Sequence, residues 1–541
     1  MAGIMTPLTH QSGFDDVAAR NTPQKPLLGD LSPEITLIIF EKLSEDPKFG
    51  FNPQSFLPLQ LVSQKFNTIV TPFRYRSLTV DQSLLKHINN PCHQIAKLNI
   101  HLHTRHFALY DEVDWIQATQ LLDGCQRLET IRWMLQKPMP QSLSRLISQK
   151  QPRVSLIVDR YLCPLEAEDE AQLASSYPAA NIMSIVFVAA FSTNVSGLHS
   201  LLRAASSIKS ITMTSQRGRF NPASGPLPPV RHFSVPVDRW RMDREDVIRL
   251  LDFSQLEYLE MRDLDSFLRT VQPNYFPRLR MFKGSRYDHR VRPSTYDRHQ
   301  EKTALMLNQF LSALPLLESI DVSTMLGRFD ISSLNNKPAL RSLRLCDISE
   351  SYQNRLLGEF VRPDAPSWTR RRPRDPHIST AARQMFTVFT TTDFPALSSV
   401  DIARIREYCP SVEELDLGID RTNGDHLQLL QGISAFPRLL SLTLRTQTLG
   451  CELDEPNKCH DLDIAFVKTA WKILRTPEKH LPLAKLKVEI SQLVYLIKAE
   501  RKPEHLDWEA LEASGHPRLA TRTFNISWEH EYPKEWIPEW R

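Results

Sequence analysis

Pro338-Ala339-Leu340-Arg341-Ser342-Leu343-Arg344-Leu345 and Pro437-Arg438-Leu439-Leu440-Ser441-Leu442-Thr443-Leu444 carry the pattern on which the fold turns. Each is a proline followed, two residues on, by L-x-x-L-x-L. The last two apolar positions are i and i+2, one face of a strand. The first sits three residues earlier, at the turn leading in, and the proline blocks a helix from running on. Leu317-x-x-Ile320-x-Val322 and Val412-x-x-Leu415-x-Leu417 repeat it behind Pro315 and Pro410. So do Leu128-x-x-Ile131-x-Trp133, Ile208-x-x-Ile211-x-Met213 and Leu256-x-x-Leu259-x-Met261. Weaker copies are expected at Ile95, Val230, Leu279, Leu397 and Leu483.

Helical patterns lie between several copies. Leu198, Leu201, Leu202 and Ala205 form one face, Leu307, Leu311 and Leu314 another, and Ile464, Val467, Trp471 and Leu474 a third. Helix, turn and short strand in repetition bury a continuous core by stacking. An ordinary α/β domain with a parallel sheet also sets strands after helices, and is the rival reading. Two insertions are expected as loops, near 285–303 and 350–392. The second contains Arg370-Arg371-Arg372, which suits an exposed loop, a nuclear address or an acidic partner.

At the other end, residues 1–26 are polar and aperiodic, and a disordered leader is expected. Ser32-Pro33-Glu34 then reads as N-cap, first helical position and acidic first turn. The helix that follows carries Ile35, Leu37, Ile38, Ile39, Phe40 and Leu43 around most of its circumference. Leu59, Val62, Phe66 and Ile69 mark a second helix, expected to end at Pro72. A module of this size cannot bury so much apolar helix surface alone, so the surplus reads as a binding surface.

Leu31-Ser32-Pro33-Glu34-Ile35, Ile38-Ile39-Phe40, Leu43 and Leu59-Gln60-Leu61-Val62-Ser63-Gln64-Lys65-Phe66 resemble an F-box. Val70-Thr71-Pro72-Phe73-Arg74-Tyr75-Arg76-Ser77-Leu78 resembles the tail common in fungal F-box proteins. The chain departs from the family pattern in three places. Its proline sits one position late, Phe66 stands where tryptophan is commonest, and residues around 45–54 lengthen the first loop. The L-x-x-L-x-L copies resemble a degenerate leucine-rich-repeat array; adjacent copies step by about 22 to 27 residues. The asparagine or cysteine expected later in each repeat is replaced by Ile348, Asp420 and Gln447.

These resemblances imply an α/β architecture: a small three-helix F-box (27–80), then an irregular leucine-rich-repeat-like solenoid, or horseshoe (81–500), then a C-terminal cap or tail (501–541). They imply a substrate receptor of an SCF-type cullin–RING ubiquitin ligase that holds a Skp-type adaptor and, through it, cullin. The adaptor-binding candidates are Leu31, Pro33, Glu34, Ile35, Ile38, Ile39, Leu59, Leu61 and Val62. The target protein and the residues that bind it are not readable. A repeat scaffold that binds a protein without ubiquitination is the second reading, and an α/β enzyme the third.

Composition agrees with a non-enzymatic reading. The chain has 541 residues, 41% hydrophobic and 24% charged, with a formal net charge of +4. That balance leads to no expectation of nucleic acid or membrane partners. Glycine is scarce (16) beside 38 prolines, and no GxGxxG, P-loop, GxSxG or HExxH motif occurs. Seven dispersed cysteines suit reduced thiols, and localisation is expected in the cytoplasm, the nucleus or both. His101, His103 and His106 cluster near Asp111, but without a fitting further ligand they read as polar surface. No catalytic residue, metal or cofactor is expected.

Overall fold

A computed structural model describes residues 32–45, 61–110, 112–150, 154–164, 166–189, 196–214, 225–235, 244–284, 293–324, 329–347, 397–419, 421, 425–447, 456–474, 483–491, 522–527 and 539–540. The chain divides into two compact units. The first comprises Met1–Ala108 with Gln120–Glu129; the second, Leu109–Thr119 with Thr130–Arg541.

The first unit opens with α1 (Pro33–Glu45). Ser32 starts it: the Ile35 amide donates to the Ser32 hydroxyl at 3.3 Å and the Thr36 amide to the Ser32 carbonyl at 3.0 Å. Pro33 has no amide to leave unpaired there. Helix α2 (Gln64–Arg76) is capped by Ser63, whose hydroxyl accepts from the Phe66 amide at 3.2 Å. Pro72 does not end this helix, as expected from sequence, but lies inside it. Packing explains the difference. Phe73, one residue on, is buried edge-to-face against Phe40 at 6.0 Å, in a core with Phe66, Ile69 and Val70. That core holds the turn on which proline forfeits a hydrogen bond.

Strand β1 (Ser77–Val80), helices α3 (Gln82–Asn89) and α4 (Gln94–His103) and strand β2 (His106–Leu109) follow. Ile95-x-x-Leu98-x-Ile100, expected as a weak strand copy, is therefore the body of α4. Asn90 accepts from the Cys92 amide at 3.0 Å and Pro91 begins the turn, so the chain enters α4 already wound. Helix α5 (Trp115–Gly124) ends on a glycine whose missing Cβ would lie 2.5 Å from the His101 ring.

The second unit is α/β. Its strands are β3 (Thr130–Trp133), β4 (Ser155–Cys163), β5 (Ile182–Ala189), β6 (Ser210–Met213), β7 (His232–Val235) and β8 (Tyr258–Met261). They continue as β9 (Met281–Gly284), β10 (Ser319–Thr324), β11 (Ser342–Asp347), β12 (Glu414–Gly418), β13 (Ser441–Gln447) and β14 (Lys485–Ser491). Between them run α6 (Gln141–Gln149), α7 (Ala167–Ser175), α8 (Ser196–Ala204), α9 (Arg244–Leu250) and α10 (Leu264–Thr270). Later come α11 (Pro293–Ser312), α12 (Ser399–Tyr408), α13 (His426–Ser434) and α14 (Pro456–Leu474).

From β3 to β14 every neighbour pair is parallel and sheet order follows chain order. Among the described residues the strand order from β3 to β14 does not reverse; a reversal is the arrangement that leaves a switch-point crevice in doubly wound folds. Right-handed crossovers in such an order put the connecting helices on one face. The terminal strands β15 (Arg522–Ser527) and β16 (Glu539–Trp540) add antiparallel to β14.

The apolar positions of the repeat align across strands. Ile185, Ile211, Phe233, Leu259, Phe282, Ile320, Leu343, Leu415, Leu442 and Leu486 are register partners in one buried column. A second buried column, from Phe187 to Val488, contains Gly284. A Cβ on Gly284 would press on the Phe282 ring at 3.0 Å and on Leu264 at 3.1 Å. At the strand starts one carbonyl often accepts two successive amides of the next strand. Arg231 takes those of Glu257 and Tyr258, and Arg341 those of Glu413 and Glu414.

All seven clear copies lie on strands, as do those at Val230, Leu279 and Leu483. Ile182-x-x-Ile185-x-Phe187 is a further copy, on β5. The copy at Leu397 is not a strand. Ser398 and Asp401 form a reciprocal capping box that starts α12, and a capped helix wins over the proline two residues before Leu397. The loop expected near 285–303 is helical from Pro293; residues 285–292 and all of 350–392 lie outside the described residues. Among the described residues no helix is long and apolar enough to cross a membrane.

Among the described residues, Glu170 and Lys337 are charged side chains with no exposed surface. Glu170 on α7 accepts from the Gly197 and Leu198 amides at 2.6 and 2.5 Å, so it caps the neighbouring helix α8. Lys337 donates to the Leu314 carbonyl at 3.0 Å, and burial pushes its ammonium down to about 8.

Candidate functional site

The first unit keeps its aromatic residues in and many of its aliphatic residues out. Thr36 and Phe40 face its core from α1, while Ile35, Leu37 and Ile38 are exposed. Leu61 and Val62 occupy the turn before Ser63 and are exposed as well, Leu61 by 90%. Of the adaptor-binding candidates, Pro33, Glu34, Ile35, Ile38, Leu61 and Val62 are thus exposed and Ile39 is half-buried. Leu31 and Leu59 lie outside the described residues. The Glu34 carboxyl is held below the ordinary carboxylate range by its own backbone amide and by Ser32.

The second unit presents a different surface: the sheet residues that alternate with the buried columns. Many of its residues are half-buried, while His232, Lys283 and Arg344 are exposed and Ser234 is buried. From β5 to β7 they are small or neutral, with Ser184, Val186, Ser210, Thr212, His232 and Ser234. From β8 onward they include charged residues that pair across strands. Glu260 receives Lys283 at 2.7 Å, the Ser234 hydroxyl at 2.7 Å and the Tyr258 phenol at 3.2 Å. Burial works against the Glu260 carboxylate, but those three donors outweigh it and hold its pKa below the usual value. Burial, with Glu260 beside it, pushes the Tyr258 phenol up to about 12.

Further along, Arg344 bridges Asp321 at 3.5 Å and Asp416 at 3.1 Å. Arg445 bridges Asp416 at 2.8 Å and Glu489 at 2.9 Å. The chain of alternating charge therefore runs from β10 to β14. Asp416 is raised above the ordinary range because its burial outweighs both guanidinium groups. Beside Tyr258, His232 packs its ring at 5.8 Å on one side and Met281 is the register partner on the other. None of this face was read as a site from sequence. The signal that could have found it is the residue between the last two apolar positions of each copy.

His101 and His103 end α4, and His106 begins β2. Burial and then Arg127 push His103 down. Burial also pushes His106 down, against Glu129 and with Arg76 and Arg105. Among the described residues no group of three or more His, Cys, Asp or Glu side chains is arranged to hold a metal ion. Cys125, Cys163 and Cys409 are buried thiols outside any disulfide; burial pushes the latter two up to about 12.

No protein-family model matches this sequence, and no curated protein resembles it significantly.

Proposed function

We propose that this chain is the substrate-receptor subunit of an SCF-type cullin–RING ubiquitin ligase. The observation that carries the reading is the aliphatic set Ile35, Ile38, Leu61 and Val62. It lies outside the Phe40–Phe66–Ile69–Val70–Phe73 core on a module that resembles an F-box. In this reading these residues, with Leu31, Pro33, Glu34, Ile39 and Leu59, hold a Skp-type adaptor, and the adaptor holds cullin. The second unit is a leucine-rich-repeat-like solenoid whose open sheet face takes the target protein. The chain acts by proximity, bringing a target to ubiquitin chemistry performed by other subunits.

Exposure makes the test clean. Ile38→Glu with Leu61→Glu alters no buried contact, so the variant should fold like wild type. Affinity purification of wild type should recover a Skp-type adaptor and cullin, and the double variant should recover neither. Wild type without an adaptor sinks the proposal. Wild type with adaptor but without cullin, and with no protein accumulating when the chain is removed, favours the scaffold reading instead.

A further inference from the structure

We propose that Asp416 is a proton-operated gate on the sheet face of the second unit. Ionised, it occupies the Arg344 and Arg445 guanidinium groups; protonated, it releases them to the carboxylates of an acidic segment of the target. The target's place on this face is the reading proposed for the whole chain, and the gate rests on it. Strand register builds the site. Asp416 on β12 is the register partner of Arg344 on β11, which is in turn that of Asp321 on β10. On β13, Arg445 stands between Gly418 and Glu489. Gly418 has no side chain to fill the space, so the Arg445 guanidinium reaches Asp416 as well as Glu489. Arg344 Nε and Arg445 Nη2 converge on Asp416 Oδ2 at 3.1 and 2.8 Å. Among the described residues, Oδ1 of the same carboxylate is buried without a hydrogen-bond partner. A buried acceptor left unpaired costs free energy, and the neutral acid carries less of that cost than the anion.

Charge selects the occupant. In the ladder Arg344, Arg445 and Lys487 are set against Asp321, Asp416 and Glu489. It is balanced while Asp416 is ionised and gains one positive charge when Asp416 is protonated. Among the described side chains, the other charged groups at alternating positions of β10 to β14 are Glu414 and Lys485, both exposed and opposite in sign. The two half-buried carboxylates are driven apart. At Asp416 burial outweighs Arg445 and Arg344 and raises the pKa; at Glu489 burial is outweighed by Lys487 and Arg445, and the pKa is lowered. On acidification Asp416 therefore takes its proton first, while Glu489 still positions Arg445. Exposed carboxylates of a target keep the ordinary range and stay charged when the gate opens. The group that now fills the site is itself a carboxylate, which is why a carboxylate fits there.

The probe is a rhodamine-labelled peptide of glycine and serine with two cysteic-acid residues, whose sulfonates stay ionised throughout, beside its alanine analogue. Binding to the full chain is followed by fluorescence anisotropy at constant salt, in a pH series from neutral into the ordinary carboxylate range. Wild type should bind several-fold more tightly as pH falls. Asp416→Asn, which mimics the protonated acid, should bind at neutral pH as tightly as wild type does in acid, with a flat profile. Adding Arg344→Gln and Arg445→Gln to it should abolish that gain. Circular dichroism checks that each variant folds. No gain in wild type, a gain that persists with pH in Asp416→Asn, or equal binding of the alanine analogue overturns the proposal. If Asp416→Asn does not fold, Arg344→Gln decides: a pH gain as large as that of wild type overturns it. Adaptor recovery is read on the same samples. Wild type that recovers the adaptor and cullin but shows no gain refutes the gate alone, whereas wild type that shows the gain but recovers no adaptor refutes the ligase reading alone.

Discussion

The two units treat the same residue types in opposite ways. In the second, the aliphatic residues of each repeat are matched strand by strand and shut away in columns. In the first, Ile35, Ile38, Leu61, Ile95 and Leu98 face solvent around a small aromatic core. Apolar periodicity says that a face must be covered; it does not say whether the cover belongs to the same chain. The repeats cover one another, because each copy brings its own neighbour. A short module has no such neighbour, so its surplus stays exposed.

This contrast can be attacked where it is strongest. Phe282 sits in the middle of a buried column, with the Phe310 ring at 5.3 Å. Phe282→Ala should destabilise the protein by roughly 3–5 kcal/mol. Thermal unfolding would show it, and a small change would mean that the columns are not the core.

Lys337 tests the same core from the other side. Its folded value, about 8, lies below its ordinary 10.5, so folding disfavours its charged form. The cost is full below the folded value and is relieved as pH rises toward the unfolded one. Lys337→Met should therefore stabilise near neutral pH by roughly 2 kcal/mol, after loss of the bond to the Leu314 carbonyl. The gain should shrink between pH 8 and 10.5, as wild type itself becomes more stable. A variant that melts lower at neutral pH would contradict the burial argument.

The smallest effect belongs to the first unit. Ile38→Ala should change stability by no more than about 0.5 kcal/mol, because the side chain is 56% exposed. A loss of several kcal/mol in chemical denaturation would show that α1 has a covering within the chain and would erase the contrast.

Much of the second unit was legible in its sequence, since L-x-x-L-x-L behind a proline admits few other structures. It failed where the same spacing could wind. At Ile95 and Leu397 the apolar positions also suit a helix face; Asn90 starts the turn that leads into α4, and the Ser398–Asp401 pair caps α12. Pro72 misled in the opposite direction, because a buried Phe73 outweighed a local rule. The open sheet face was not legible. Arg344 finds Asp416 across a long insertion, and only strand register says which residues become neighbours.

Sequence alone therefore determined the repeating strand, its period and the helix start at Ser32-Pro33-Glu34, because these rest on backbone geometry within a few residues. Tertiary structure decided which aliphatic faces stay uncovered and which charges meet. Both depend on packing between segments far apart in the chain. The apolar surplus of the first unit was visible in its residues, but its position outside the core was settled only when Phe40, Phe66 and Phe73 had closed around one another.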